Sequence, residues 1–214
     1  MGYNEDYQKI NNVFGSAPEK ILKEHFRKID SRRPVLDIGA GQGRHSFFLA
    51  DKGFAVDAMD PSSVAFDLLK SEAQKNNWKL RAYQKTFSEF EPDDSAHYSA
   101  ILIFGLIQIL SWQEIEELLR KIDNWTKKGS FVFVTGFTVL DPSLERYQIN
   151  WKTVGTNSFI DGAGNARTFL ELKEIGQIFR KYQTVYHWEG IGPEHHHGDG
   201  KLEQHHLCEA VFMK

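Results

Sequence analysis

Residues 35–46 read Val-Leu-Asp-Ile-Gly-Ala-Gly-Gln-Gly-Arg-His-Ser. A short apolar run breaks into glycines at 39, 41 and 43, and a helical pattern follows, the order of a strand, a tight turn and a helix start. A turn bare of side chains lets a ligand lie against the main chain. The spacing disfavours two phosphate cradles. A Gly-x-Gly-x-x-Gly fingerprint needs a glycine where Arg44 stands, and a P-loop needs Lys-Ser/Thr where the chain has Arg44-His45. Asp37, two residues ahead of Gly39, would repel a pyrophosphate and attract a cation.

S-adenosylmethionine offers a sulfonium and an ammonium group and no phosphate, so this turn suits it. Residues 35–60 resemble the cofactor site of class I S-adenosylmethionine-dependent methyltransferases. That pattern is acidic-x-Gly-x-Gly-x-Gly after the first strand and a second acidic residue ending the next, here Ala55-Val-Asp-Ala-Met-Asp60. The resemblance implies Asp37 near the methionine part, Gly39, Ala40, Gly41 and Gly43 along the cofactor, and Asp60, followed by Pro61, on the ribose hydroxyls. One carboxylate can accept hydrogen bonds from both hydroxyls. Thr86 or Gln84 is the candidate polar contact to the adenine and Phe87 the ring packed on it, and Phe104, at the end of the fourth strand, is a further candidate cofactor-binding residue. At the adenine the family often carries an acidic residue, where this chain reads Gln84-Lys-Thr-Phe-Ser-Glu. Arg44 and His45 either meet the methionine carboxylate or are ordinary helix residues. The plain alternative is a structural glycine turn with an Asp at a strand end. Gly41-Gln-Gly-Arg-His-Ser followed by Phe-Phe-Leu-Ala-Asp-Lys-Gly further resembles small bacterial methyltransferases of the tellurite-resistance type.

A second group able to do chemistry is Pro193-Glu-His-His-His-Gly-Asp-Gly-Lys-Leu-Glu-Gln-His-His. Its first reading is a solvated polar loop. In its second, His195 and His197 point the same way on an extended segment, and His205 or His206 faces them across a hairpin. Neutral imidazoles so placed suit Zn, Cu or Ni, and the candidate ligands are His195, His197 and His205. A third reading makes one of them a base or a contact to an anionic substrate.

The elements that must position these groups alternate between strand and helix patterns, which argues for an α/β fold with a mainly parallel sheet. Strands are expected at Val35–Gly39, Phe54–Met59, Lys79–Gln84, Ser99–Phe104 and Ser130–Thr135, and as a hairpin at Thr184–Gly190 and His206–Met213. Helices are expected over 17–29 with Ser16 as cap, over 42–52, from Pro61 to Asn76, from a Ser111/Glu114 capping box to about 127–129, and from Leu170 to Lys181. With the resemblance, the expected fold is Rossmann-like: a seven-stranded, mainly parallel sheet with an antiparallel C-terminal strand and helices on both faces. Residues 137–168 show no strong period and form a substrate-side insertion. Residues 1–30 form an N-terminal helix and, through Tyr3, Tyr7 and Phe14, either a lid or a frayed tail.

The 214 residues make one domain, with a formal net charge of -3 that does not favour nucleic acid. A lone cysteine, Cys208, precludes an internal disulfide framework and fits a reducing cytosol. No signal peptide or apolar run of bilayer length is visible, so the expected place is the cytoplasm. The loop Gly105-Leu-Ile-Gln-Ile-Leu lacks the Asp/Asn-Pro-Pro-aromatic signature of amino-group methylation, which weighs against DNA, RNA or protein amides. The expected activity is methyl transfer to a small molecule: a metalloid oxyanion, thiol, amine or acid. No residue is assigned as catalytic base. A cofactor-binding regulatory protein with a metal-sensing His loop, and a protein or RNA methyltransferase, are the rivals.

Overall fold

The computed structural model describes residues 4–10, 13–92, 97–196 and 202–214. Helices α1 (Asn4–Lys9) and α2 (Lys20–His25) precede the alternating part of the chain. That part runs β1 (Val35–Ile38), α3 (Arg44–Asp51), β2 (Val56–Met59), α4 (Ser63–Lys75), β3 (Leu80–Tyr83), β4 (Tyr98–Ile103), α5 (Trp112–Trp125) and β5 (Thr126–Phe137). The insertion gives α6 (Leu144–Asn150), β6 (Lys152–Gly155), β7 (Ser158–Ile160) and β8 (Ala166–Thr168). The chain ends with α7 (Glu174–Ile178), β9 (Gln183–Ile191), β10 (His195–His196), β11 (Leu202–Glu203) and β12 (His206–Met213).

Seven strands pair in the order β3-β2-β1-β4-β5-β12-β9. The pairs from β3 through β5 are parallel, and β12 runs antiparallel to both β5 and β9. This is the expected Rossmann-like sheet. Strands β1, β2 and β4 are buried at every residue, as strands covered on both faces must be. Successive side chains feed opposite layers. Leu36, Ile38, Ile101 and Ile103 pack with Ile115, Leu118, Ile122 and Trp125 of α5. Val35, Ala100 and Leu102 pack on the other face with Ile21 and Leu22 of α2, Leu49 of α3 and Leu69 of α4. The strand order turns outward on either side of β1, which sets the ligand crevice at the carboxyl ends of β1 and β4.

Four element expectations need correction. The first helix is α2 alone, followed by a 3-10 turn at Phe26–Lys28. Glu19, not Ser16, holds its N-cap position, and the Glu19 carboxylate pairs with Arg44 instead of capping. Helix α5 stops at Trp125 because Thr126 already pairs with Tyr98, so Lys127-Lys128-Gly129 belongs to β5. The helix expected from Leu170 shrinks to Glu174–Ile178. Leu170 is drawn into extended pairing, its N–H donating to the Phe137 carbonyl at 2.9 Å and its carbonyl accepting from Val139 N at 2.9 Å. The aperiodic insertion contains α6 and the three-stranded antiparallel sheet β6-β7-β8. It is fastened over the loop that follows β4: Thr168 Oγ1 donates to the Leu110 carbonyl at 2.6 Å and Trp112 Nε1 to the Thr156 carbonyl at 2.7 Å.

Below the site, Asp57 is 2% exposed and joins three strands. Arg81 holds it through two bonds of 2.7 and 2.8 Å, and the Tyr98 hydroxyl donates to it at 2.8 Å. Removing that hydroxyl leaves a buried carboxylate short of a donor, a loss on the order of 1–3 kcal/mol. Tyr98→Phe is therefore expected to lower the unfolding free energy by that amount, read as a lower urea midpoint with an unchanged m-value.

Candidate cofactor-binding site

The turn after β1 is left-handed at each glycine, with φ of 73° at Gly39, 52° at Gly41 and 86° at Gly43. Only glycine adopts such values without strain. Gly39 N and Ala40 N both donate to the Met59 carbonyl at 2.9 Å, so the turn is pinned to the end of β2. The glycines do different work. A Cβ on Gly43 would stand 2.6 Å from Phe47 Cζ and 2.8 Å from Leu69 Cδ2, so this glycine serves the packing of α3 against α4. A Cβ on Gly41 would stand 2.8 Å from the Tyr7 hydroxyl. Gly39 is exposed, and a Cβ there would meet only Leu106 Cδ1 at 3.6 Å. Bare backbone is therefore offered at Gly39, while Gly41 lies under the N-terminal segment.

Asp37 is 1% exposed and accepts from Ser46 Oγ at 2.6 Å. Burial pushes its carboxyl up to about 6, and the Ser46 hydroxyl and the Arg44 charge pull the other way. A buried acid poised near neutrality is a place for a cation, whose field would favour the ionised form. Asp60, 7% exposed, accepts Gly41 N and Ser62 N, each at 2.9 Å. Burial raises its pKa and those two N–H donors oppose the rise. Each oxygen keeps acceptor capacity for a ribose hydroxyl. Pro61 is exposed beside it, and Ser62 caps α4 through Ala65 N at 3.1 Å.

His45 is 5% exposed, and its ring lies 4.3 Å from that of Phe104, centroid to centroid. Burial, then Arg44, holds its pKa well below the ordinary value, so the ring is neutral. Its Nε2 is buried and has no hydrogen-bond partner among the described residues. The same is true of Gln108 Oε1, and Gln108 Nε2 would stand 3.4 Å from a Cβ on Gly105. Buried polar atoms without a partner are uncommon in folded chains; Gln108 Oε1 is an acceptor, and His45 Nε2 accepts or donates according to the ring's tautomer. Both sit at the carboxyl end of β4.

Arg44 is aimed away from the turn. Its guanidinium donates to the Phe14 carbonyl at 2.9 Å and to Glu19 Oε1 at 2.5 Å. Thr86 donates from N and Oγ1 to Glu89 Oε2, at 3.0 and 2.8 Å. Phe87 is buried in the core layer with Ile38 and Met59, so its ring packs inward. Four participants were not marked from sequence: Ser46, Ser62, Gln108 and Glu89. The signal for Ser46 was its place one helical turn beyond Gln42 in the same motif.

In the hairpin loop, His195 and His205 come together, their ring centroids 5.3 Å apart. Glu203, which faces His195 in register, joins them. His197 lies outside the described residues.

Residues 35–129 match the family model described as a methyltransferase domain. That stretch of the chain is similar to a methyltransferase domain. The ubiquinone biosynthesis O-methyltransferase of Rickettsia typhi is 30% identical over 100 residues, which is 47% of this chain and 39% of that protein. The chain thus spans well under two thirds of that relative. TehB from Haemophilus influenzae superposes with a TM-score of 0.70 at 15% identity, covering 92% of this chain and 62% of that one. A Burkholderia thailandensis 1,6-didemethyltoxoflavin-N1-methyltransferase, solved with bound 1,6-didemethyltoxoflavin and S-adenosylhomocysteine, gives 0.67 at 16%, covering 99% of this chain and 84% of that one. The resemblance to methyltransferases read from residues 35–60 is thus matched by the family model, and TehB shares the fold.

For this domain the Asp37 shift has a sign. The apo carboxyl is raised to about 6, and a bound cation favours the ionised form, so binding expels a proton below that pH. S-adenosylmethionine affinity is expected to fall as pH drops from 7 to 5, with a limiting slope of about tenfold per unit. Titration calorimetry in two buffers of different ionisation enthalpy reads the proton directly, and Asp37→Asn is expected to flatten the profile.

Proposed function

We propose that this protein transfers the methyl group of S-adenosylmethionine to a small molecule by direct in-line displacement. The methyl carbon leaves the sulfonium sulfur for the acceptor's lone pair, S-adenosylhomocysteine departs, and a protonated acceptor loses its proton. Sulfonium is already a good leaving group, so the protein's task is alignment and exclusion of water. Asp37, the Gly39–Ala40 backbone and Asp60 hold the donor. Phe104, with His45 and Gln108 on either side of it, forms the acceptor side.

The observation that carries this reading is the pair of buried polar atoms without a partner among the described residues, His45 Nε2 and Gln108 Oε1, near the end of the strand next to the donor turn. The Gln108 carbonyl suits an acceptor that offers N–H or O–H donors, such as an amine, an acid or a protonated oxyanion, and the His45 Nε2 takes either role with its tautomer. A thiol also remains open. The relatives' names include both an O-methyltransferase and an N1-methyltransferase, which supports a small-molecule acceptor without choosing the atom. The formal net charge of -3 supports a partner other than nucleic acid. None of the described helices is long and apolar enough to cross a membrane, and the free, buried Cys208 suits work in the cytosol.

Two measurements test this. Asp60→Asn keeps one acceptor oxygen and removes the charge, and is expected to weaken S-adenosylmethionine about ten- to hundredfold by calorimetry, the loss of one or two charge-assisted bonds. A screen of amines, acids, thiols and metalloid oxyanions with labelled donor then reads turnover. For an acceptor so found, Gln108→Ala is expected to lower kcat/KM about tenfold while leaving donor affinity within about twofold. Tight donor binding with no turnover on any acceptor would move the protein to a cofactor-binding regulatory role.

A further inference from the structure

Beyond the donor site, the hairpin between β9 and β12 gathers a second constellation. One ligand atom each from His195, Glu203 and His205 lies within 4.8 Å of the others. His195 pairs with Glu203 in the β10-β11 ladder, which puts their side chains on one face. His205 Nε2 stands 3.5 Å from Glu203 Oε2. Atoms bound at about 2.0–2.2 Å to one ion sit roughly 3–3.5 Å apart, so this pair already has the right separation.

The surroundings orient the rings. His205 Nδ1 is bonded to Asp141 Oδ2 at 2.8 Å. Asp141 is 3% exposed and is itself fixed, accepting His206 N at 3.1 Å and Ser143 N at 2.9 Å. The His205 ring stacks on Phe137 with centroids 4.2 Å apart and planes 20° off parallel. His195 Nδ1 is engaged at 3.1 Å by the Pro193 carbonyl. In both rings Nδ1 is bonded to the chain, and His205 Nε2 is the atom that stands toward Glu203. A carboxylate or carbonyl behind a ligating histidine is the arrangement that fixes tautomer and direction in metal sites.

We propose that His195, Glu203 and His205 bind a first-row divalent transition ion, with Asp141 as the positioning residue behind His205. Two imidazoles and one carboxylate suit Zn2+ and leave at least one coordination position for an outside ligand. The site lies at the carboxyl end of β5, on the same rim of the sheet as the donor turn. It stands on the geometry of the hairpin and does not depend on the methyltransferase reading.

The test is titration of the chelator-stripped full chain with Co2+, followed by visible spectroscopy and displacement by Zn2+. One equivalent is expected, with the absorption bands of a low-symmetry nitrogen–oxygen site. His195→Ala and Glu203→Gln, both outside the core, are each expected to weaken binding at least tenfold, and Asp141→Asn about 10–100-fold. His196→Ala, on the opposite side of its strand, is expected to leave it within about twofold. Circular dichroism confirms that each variant is folded. No stoichiometric Co2+ in folded protein overturns the site. So does binding that survives both His195→Ala and Glu203→Gln, or that is lost equally in His196→Ala, since either would make the ion a guest of the histidine tract alone. Donor affinity measured on the same samples reports separately on the methyltransferase reading.

Discussion

The chain must leave a buried strand and enter a helix within five residues, and it does so through three left-handed glycines at alternate positions. That reversal governs what surrounds it. Pinned to the Met59 carbonyl by two N–H groups and to the Asp60 carboxylate by a third, the turn and the end of β2 move as one piece. Gly43 lets α3 and α4 close on each other, and Asp37 is sealed beneath, accepting from the Ser46 hydroxyl. Two carboxylates so near each other in a low-dielectric crevice are costly unless a cation arrives, and this cost is the physical source of selectivity for a positively charged ligand.

The parts legible in the sequence were those in which local and long-range demands agree. The strand–glycine–helix unit, the nearly all-apolar β4 and the Ser111/Glu114 capping box each carry their signal in consecutive residues, and the box is closed in both directions. What could not be read was set by distant partners. Leu170 sits in a helical pattern yet pairs with Phe137 and Val139, and nothing near it in sequence announces this. Thr126 begins a strand because Tyr98 waits opposite. Arg44 follows the glycines where a cofactor contact was expected, but Glu19 and the Phe14 carbonyl lie nearer to hand.

The histidine loop makes the same point from the other side. Its imidazoles are conspicuous as a run, yet the geometry selects by register and not by abundance. His195 is joined by Glu203, an ordinary surface residue in sequence, because the hairpin ladder sets them opposite each other. Asp141, more than sixty residues from His205, ties the start of the insertion to the start of β12. The insertion and the hairpin, separate in the chain, share one buried carboxylate.

Residues 4–10 and 13–14 lie beside the turn, with the Tyr7 hydroxyl against Gly41. Gln42 holds the Ile10 carbonyl and Val13 N, Arg44 holds the Phe14 carbonyl, and a small cluster of Tyr7, Val13 and Ala65 fills the space between. A short terminal segment held at the surface releases at lower cost than the buried sheet below it. Such a segment is a tethered competitor: its local concentration is fixed by the chain and does not dilute. A cofactor reaching past Gly39 toward Gly41 meets an occupant that was already in place, and its apparent affinity is the difference between two bound states.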